Sequence, residues 1–409
     1  MKRLLTLLFL PVLLSAQPGK NAGVLPDRLA RIDSFLQEAV DRGIVPNAQT
    51  YVMRRGQLIH RGTYGLADLA SKRAARPNDI YRIASQTKAL VSVGLMKLYE
   101  RGKFLLDDPI ANYIPAFART QVLGELDKST GEYSLEPLER PITIRHLLSH
   151  TAGLPYGMPE GFTDDHDIPI HATFEVVTIG EVVERIAARP LVAQPGTTFQ
   201  YGLNTDVLGR LVEVLSGMPL DEYMREEVFE PLGMVDSYFY LPQEKHGRLV
   251  TLYSKHEADS KLVLHENEVY RDFPVRGAQT FFSGGAGTVG TIDDYGRFCQ
   301  MLLNGGELDG VRILNSRTVE VMTRNQIGEL TVWDRNDKFG LGFQLIGPDS
   351  RYGDLASEEA YTWGGLFCTE YTIDPAEELV ALVYFNVQPI PQYSELVRKF
   401  RILVYQALE

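Results

Sequence analysis

The chain has 409 residues, 44% of them hydrophobic, enough apolar material for a large core or for two lobes sharing one cleft. Its formal charge is -12 with no run of Lys and Arg against that background, which argues against phosphate backbones and anionic lipid, so no nucleic acid partner is expected. Two cysteines, Cys299 and Cys368, are too few for a disulfide framework; a single bridge between them is left open, and neither has the spaced Cys and His neighbours of a zinc site.

At the N-terminus Lys2 and Arg3 precede the apolar run Leu4 to Leu14 and then Ser15-Ala16-Gln17, the pattern of a secretory signal peptide over residues 1–16. The run is short and contains Pro11, so no stable membrane span is expected after cleavage, and the mature protein is expected to be periplasmic or secreted. From Pro26 to Gly43, Leu29, Ile32, Leu36, Ala39 and Val40 recur at helical spacing. A hairpin follows, with Gln49 to Met53 and Leu58 to His60 around a turn at Arg54-Arg55-Gly56. A second helix begins at Ser85 and reaches Gly102.

Residues 103 to 280 are richer in Pro and loop formers, with helical pieces at Ile144 to His150, Ile179 to Ala188 and Asp206 to Ser216. After Gly290 another helix carries Tyr295, Phe298, Met301 and Leu302. Strands return at Thr369 to Ile373 and Leu379 to Phe385, and a last helix aligns Leu396, Phe400, Leu403, Val404 and Ala407. The fold class expected is α+β: an antiparallel sheet flanked by helices, to which both termini contribute (about 22–102 and 281–409), with a mostly helical lobe inserted at about 103–280. Residues 22–405 read as one catalytic unit, without repeats.

Three short segments carry chemistry. In Ser85-Gln86-Thr87-Lys88, a helix start places the hydroxyl and the amine one turn apart on one face. A serine needs a neighbouring base to become nucleophilic, although an N-cap serine and a solvated lysine would give the same letters. Ser85 is the only serine with Lys three residues later. Tyr201, in Phe199-Gln200-Tyr201-Gly202-Leu203-Asn204, is either a core aromatic or a phenol able to move a proton beside a lysine. Trp363-Gly364-Gly365-Leu366 leads into a strand, where paired glycines mark either a bulge or a close approach of backbone to a ligand.

In this order the three resemble the β-lactamase/penicillin-binding serine hydrolase superfamily, in the group of class C β-lactamases and family VIII carboxylesterases. Ile142 to Leu154, Pro195-Gly196, Ser283-Gly284-Gly285-Ala286-Gly287 and Asp293-Asp294-Tyr295 extend the resemblance over about residues 27 to 400. It implies that Ser85 becomes acylated, that Lys88 and Tyr201 relay its proton, and that the backbone N–H groups of Ser85 and Leu366 hold the oxyanion. Trp363, Gly364 and Gly365, with Leu203 and Asn204, would contact substrate, and neither metal nor organic cofactor is implied.

Two departures bear on specificity. The family's lactamases carry Lys-Thr-Gly where Trp363-Gly364-Gly365 stands, and Leu203 occupies a usual Asn position, with Asn204 one place on. An apolar, uncharged pocket is therefore expected, suited to a small ester more than to an anionic antibiotic. The function expected is hydrolysis of small acyl esters, with a β-lactamase or D-amino-acid peptidase acting on amides as the alternative and a non-catalytic ligand-binding homologue as a further one. The G-x-S-x-G elbow is absent, since no serine has Gly two residues before it. His146 and His150 have the spacing of a zinc helix, but Leu147 stands where H-E-x-x-H needs Glu, so no metal is expected.

Overall fold

Alternation along the strand Leu379–Tyr384 decides the architecture. All six side chains are buried, Leu379, Ala381 and Val383 on one face and Val380, Leu382 and Tyr384 on the other, so the strand is covered on both sides. In the computed structural model, which describes residues 22–163 and 167–409, it lies within an eight-stranded antiparallel sheet. The expected signal peptide, residues 1–16, lies outside the described residues.

The strands are β1 (Asn47–Arg54), β2 (Gln57–Asp68), β3 (Arg73–Ala74), β4 (Lys338–Phe339), β5 (Gln344–Leu345), β6 (Tyr361–Gly365), β7 (Thr369–Asp374) and β8 (Leu379–Tyr384). Their order in the sheet is β4-β5-β6-β7-β8-β1-β2-β3. Gln49 faces Tyr384 and Arg54 faces Leu379, so the N-terminal hairpin is sewn onto the C-terminal strands. The hairpin turns on Arg55 and Gly56, both with positive φ (50° and 70°), which matches the twist of the strands they join.

Around the sheet run α1 (Arg31–Asp41), α2 (Thr87–Glu100), α3 (Ile179–Ala188), α4 (Asn204–Ser216), α5 (Glu268–Arg276), α6 (Ile292–Leu303) and α7 (Tyr393–Tyr405), with shorter turns between them. One face of the sheet buries Ile32 and Leu36 of α1 and Leu396, Phe400 and Val404 of α7. The other face receives Tyr295 and Phe298 of α6. α2 is buried on nearly all sides, from Thr87 to Met96, because α4 packs against it. Among the described residues, the stretch of chain between α2 and α6 adds no strand to the eight-stranded sheet. It is not wholly helical, since Val122–Leu126 and Tyr133–Glu136 pair as a hairpin.

Cys299 and Cys368 are both buried and free. Among the described residues no helix is long and apolar enough to cross a membrane, and no group of three or more His, Cys, Asp or Glu side chains is placed to hold a metal ion.

Candidate active site

Ser85 sits at the entry to α2, in a 3-10 turn, Ala84–Gln86. The residue before it, Ala84, takes a positive φ of 44°, a strained value for a side chain with Cβ and one that concentrates at functional turns. The approach to this turn is anchored by Arg82, whose buried guanidinium donates to the Tyr270, Val250 and Arg271 carbonyls and to Asn386 Oδ1.

One turn on, Lys88 is 2% exposed, and its ammonium has a partner in three directions. It donates to Tyr156 Oη at 2.7 Å, to the Gly285 carbonyl at 2.8 Å and to Ser85 Oγ at 3.4 Å. Gly285 is held in turn by Asp206 of α4, whose Oδ1 accepts from the Gly285 N–H at 3.1 Å and from Ser283 Oγ at 2.7 Å. Burial pushes the Asp206 carboxyl above its ordinary range, and those two donors oppose the shift.

The sequence pattern assigned the tyrosine beside Lys88 to Tyr201, but the hydrogen bond goes to Tyr156. Tyr201 turns the face of its ring to Lys88, with Nζ 4.8 Å from the centroid, and its hydroxyl accepts from Trp363 Nε1 at 3.1 Å. Tyr156 follows directly on the Ile142 to Leu154 segment, and that adjacency was the one available hint of its place. Burial raises its phenol well above the ordinary value; the nearby Tyr201 and Asp206 add to this, while a hydrogen bond with Ser85 opposes it.

Leu203 and Asn204 were expected to contact substrate. Both are buried, and neither lines the cavity at Ser85. α4 starts at Asn204, so this corner of the chain packs into the core instead of facing the cleft. The Asn204 amide lies 2.9 Å from His150 Nδ1 and donates to the Gln200 and Leu154 carbonyls at 3.2 and 3.4 Å, bracing the loop that carries Tyr156. His146 and His150 hold structure instead of a metal. His146 Nδ1 accepts from the Thr143 N–H at 3.2 Å in a capping box, and the buried His150 ring packs on Tyr201, 4.8 Å between centroids.

Across from Ser85 runs β6. A Cβ on Gly365 would overlap the Ile83 carbonyl oxygen, and one on Gly364 would overlap Glu370 and Tyr393, so the paired glycines let the strand press against the nucleophile turn and the network behind it. Trp363 to Leu366 line a cavity of about 570 Å³ together with Ser85, Tyr156 and Tyr201. Trp333 stacks on Trp363 with centroids 5.7 Å apart and extends the aromatic wall. The uncharged pocket expected from the sequence is corrected here, because Arg335 and Glu370 also line it. The Arg335 guanidinium lies 4.7 Å from the Trp333 ring and 4.2 Å from the Tyr352 ring, and donates to Gln344 Oε1 at 3.2 Å. Glu370 is buried and paired with Arg401 at 3.1 Å. Both charges come from residues outside the three motifs.

A model of the family described as Beta-lactamase matches residues 32–406. The chain belongs to the β-lactamase family. Among its relatives, Esterase EstB of Burkholderia gladioli is 29% identical over 405 residues, covering 92% of this chain and 95% of EstB. A putative D-alanyl-D-alanine carboxypeptidase of Escherichia coli (strain K12) is 28% identical, covering 92% of this chain and 86% of that protein. The structure of EstCE1, described as a hydrolase with promiscuous acyltransferase activity, superimposes with a TM-score of 0.79 at 25% identity, covering 93% and 99% of the two chains. This β-lactamase-family serine hydrolase thus has both esterase and carboxypeptidase relatives. Its fold brings Ser85, Tyr156, Tyr201 and Trp363 to Leu366 to one cavity, with Lys88 hydrogen-bonded to Ser85 and Tyr156 behind them, and Leu203 and Asn204 do not line it.

Proposed function

We propose that this enzyme is an exported hydrolase of small acyl esters that works through a Ser85 acyl-enzyme. The observation that carries the ester reading is the strand facing Ser85. It offers two glycines and an indole whose N–H is already spent on Tyr201, so it supplies neither the cation nor the hydroxyl of the Lys-Thr-Gly found in the family's lactamases. Export rests on the pattern of residues 1–16, and residues 22–405 form the catalytic unit of this reading.

Ser85 Oγ attacks the ester carbonyl carbon while its proton enters the cluster of Lys88, Tyr156 and Tyr201, whose reacting form is one proton short, with Lys88 as the neutral amine or a tyrosine as the phenolate. The same proton is delivered to the departing alkoxide. Water then attacks the acyl-Ser85 carbonyl, gives its proton to that cluster, and Ser85 is regenerated as the acid leaves. The backbone N–H groups of Ser85 and Leu366 are the donors for the oxyanion in both steps. EstB, an esterase by name, and EstCE1, a hydrolase by its description, support the choice of an ester.

The test is hydrolysis of p-nitrophenyl butyrate and nitrocefin by the wild type and by Ser85→Ala. Ester cleavage that disappears in the variant, with nitrocefin left intact, is the expected result. A second reading, an amide substrate carrying a carboxylate, is favoured by Arg335, which lines the cavity and forms no ion pair among the described residues. Nitrocefin turnover comparable to that of the ester would put that reading first.

A further inference from the structure

The cavity has a second polar wall, built on Gln388. The Val387 N–H donates to the Phe367 carbonyl, which brings the next residue, Gln388, to the cavity that Leu366 also lines. Its polar groups are committed one after another. The backbone N–H donates to the Tyr253 carbonyl at 2.8 Å, and the backbone carbonyl accepts from Ser254 Oγ at 2.8 Å. The side-chain Oε1 lies 2.7 Å from His265 Nε2.

The direction of that last bond follows from the other side of the ring. His265 Nδ1 accepts the Asn267 backbone N–H at 3.1 Å, so it carries no proton. The ring proton is then on Nε2, which donates, and the Gln388 atom facing it must be the oxygen. What remains of Gln388 is the side-chain NH2, which has no partner among the described residues.

Two further polar rings, Tyr270 and His171, belong to this wall. Tyr270 lies with its ring 5.8 Å from His265 and 5.4 Å from His171, and both Tyr270 and His171 line the same cavity. His171 Nδ1 is buried and has no hydrogen-bond partner among the described residues. Burial, aided by the charge of Lys88, pushes this imidazole down to about 4, and burial raises the Tyr270 phenol, so both are neutral at pH 7. Neutral donors suit a neutral oxygen, since the Gln388 amide, the His171 imidazole and the Tyr270 phenol bring no charge of their own to pair with a carboxylate.

We propose that this wall is a specificity subsite that takes a hydroxyl or carbonyl oxygen of the substrate on the Gln388 amide. The proposal rests on the ester-hydrolase reading, and either half of an ester can supply the oxygen. His265 is a positioning residue, since it fixes which end of the amide faces the cavity.

The experiment compares kcat/KM within two ester pairs. The acyl arm uses p-nitrophenyl 3-hydroxybutyrate against p-nitrophenyl butyrate, and the alcohol arm uses glyceryl monobutyrate against propyl butyrate. In the wild type one arm favours its hydroxylated member. In Gln388→Met that ratio falls about three- to tenfold, the effect of one neutral hydrogen bond. His265→Phe lowers the same ratio by releasing the amide, and it keeps the question answerable if Gln388→Met does not fold. A merely structural role would lower both members of a pair together and leave the ratio alone. Unchanged ratios in both arms and in the variants that fold overturn the subsite while the ester reading stands. A wild type that cleaves none of the four esters through Ser85 overturns both.

Discussion

Tyr156→Phe tests the assignment on which the proton path depends. The variant keeps the ring and removes one oxygen, the acceptor of the 2.7 Å bond from Lys88. Lys88 is 2% exposed, so water does not readily replace that partner, and the loss is that of a charge-assisted hydrogen bond, about 1.5–3 kcal/mol. At about 1.4 kcal/mol per decade this alone is roughly a 10- to 150-fold loss of rate if the bond is kept through the transition state. A phenol that also passes the proton adds its general acid–base contribution, and since the two effects share one group they are not summed; kcat should fall about 10²- to 10³-fold. Tyr201→Phe leaves the Trp363 indole N–H without its acceptor and removes no bond to Lys88, so the resting geometry implies a smaller loss, roughly tenfold. Steady-state hydrolysis of p-nitrophenyl butyrate, with an active-site titration to count folded enzyme, measures both. A Tyr156→Phe enzyme within threefold of wild type, beside a Tyr201→Phe enzyme down a hundredfold, would refute the reasoning and make Tyr201 the working partner.

Two further outcomes follow from packing and burial. Gly365→Ala drives a Cβ into the Ile83 carbonyl oxygen, a backbone atom that cannot rotate away. Overpacking of this kind costs about 1–3 kcal/mol, so the urea midpoint should drop and turnover should fall with it, as β6 is pushed off the Ser85 turn; an unchanged midpoint would show that the strand has slack. Burial pushes the Asp294 carboxyl up to about 6, while the hydrogen bonds from the Asp236 N–H and Ser237 Oγ oppose the shift. The folded state then binds this proton more tightly than the unfolded chain, so the contribution is fully present below about pH 4 and is lost as the pH rises to about 6. Asp294→Asn should lower the stability at pH 4 relative to that at pH 7 by about 2–3 kcal/mol in urea titrations. A variant with the wild-type difference would remove Asp294 from that account.

Much of the fold was legible because it is written in local periodicity. Ile32 and Leu36 recur at helical spacing and do pack on the sheet, Arg55-Gly56 is a two-residue turn between strands, and Leu396, Phe400 and Val404 share the buried face of α7. The helix expected from Ser85 to Gly102 is the 3-10 turn Ala84–Gln86 followed by α2, although a helix covered on nearly all sides has no polar face to mark its period. α5 passed unnoticed because Pro274 lies inside it, although Asn267 caps its first turn. The hairpin at Val122–Leu126 and Tyr133–Glu136 exposes most of its side chains and so lacks the alternation that marks a half-buried strand.

By itself the sequence determined the juxtaposition of Ser85 and Lys88, since a three-residue step on a helical turn closes that distance wherever the helix lies. It also determined the order of sheet, insert and sheet, and it marked β6 by the paired glycines. Only the tertiary structure decided that Tyr156 and not Tyr201 takes the Lys88 hydrogen bond, that Asn204 braces a loop, and that Arg335, Glu370 and Gln388 join the cavity wall. Lys88 and Tyr156 are separated by 68 positions and Ser85 and Gln388 by 303, and the loops between them have no period from which a direction could be read. Which hydroxyl or amide ends within 3 Å of a partner is set by how those loops pack, and hydrogen bonds form or fail over a few tenths of an ångström.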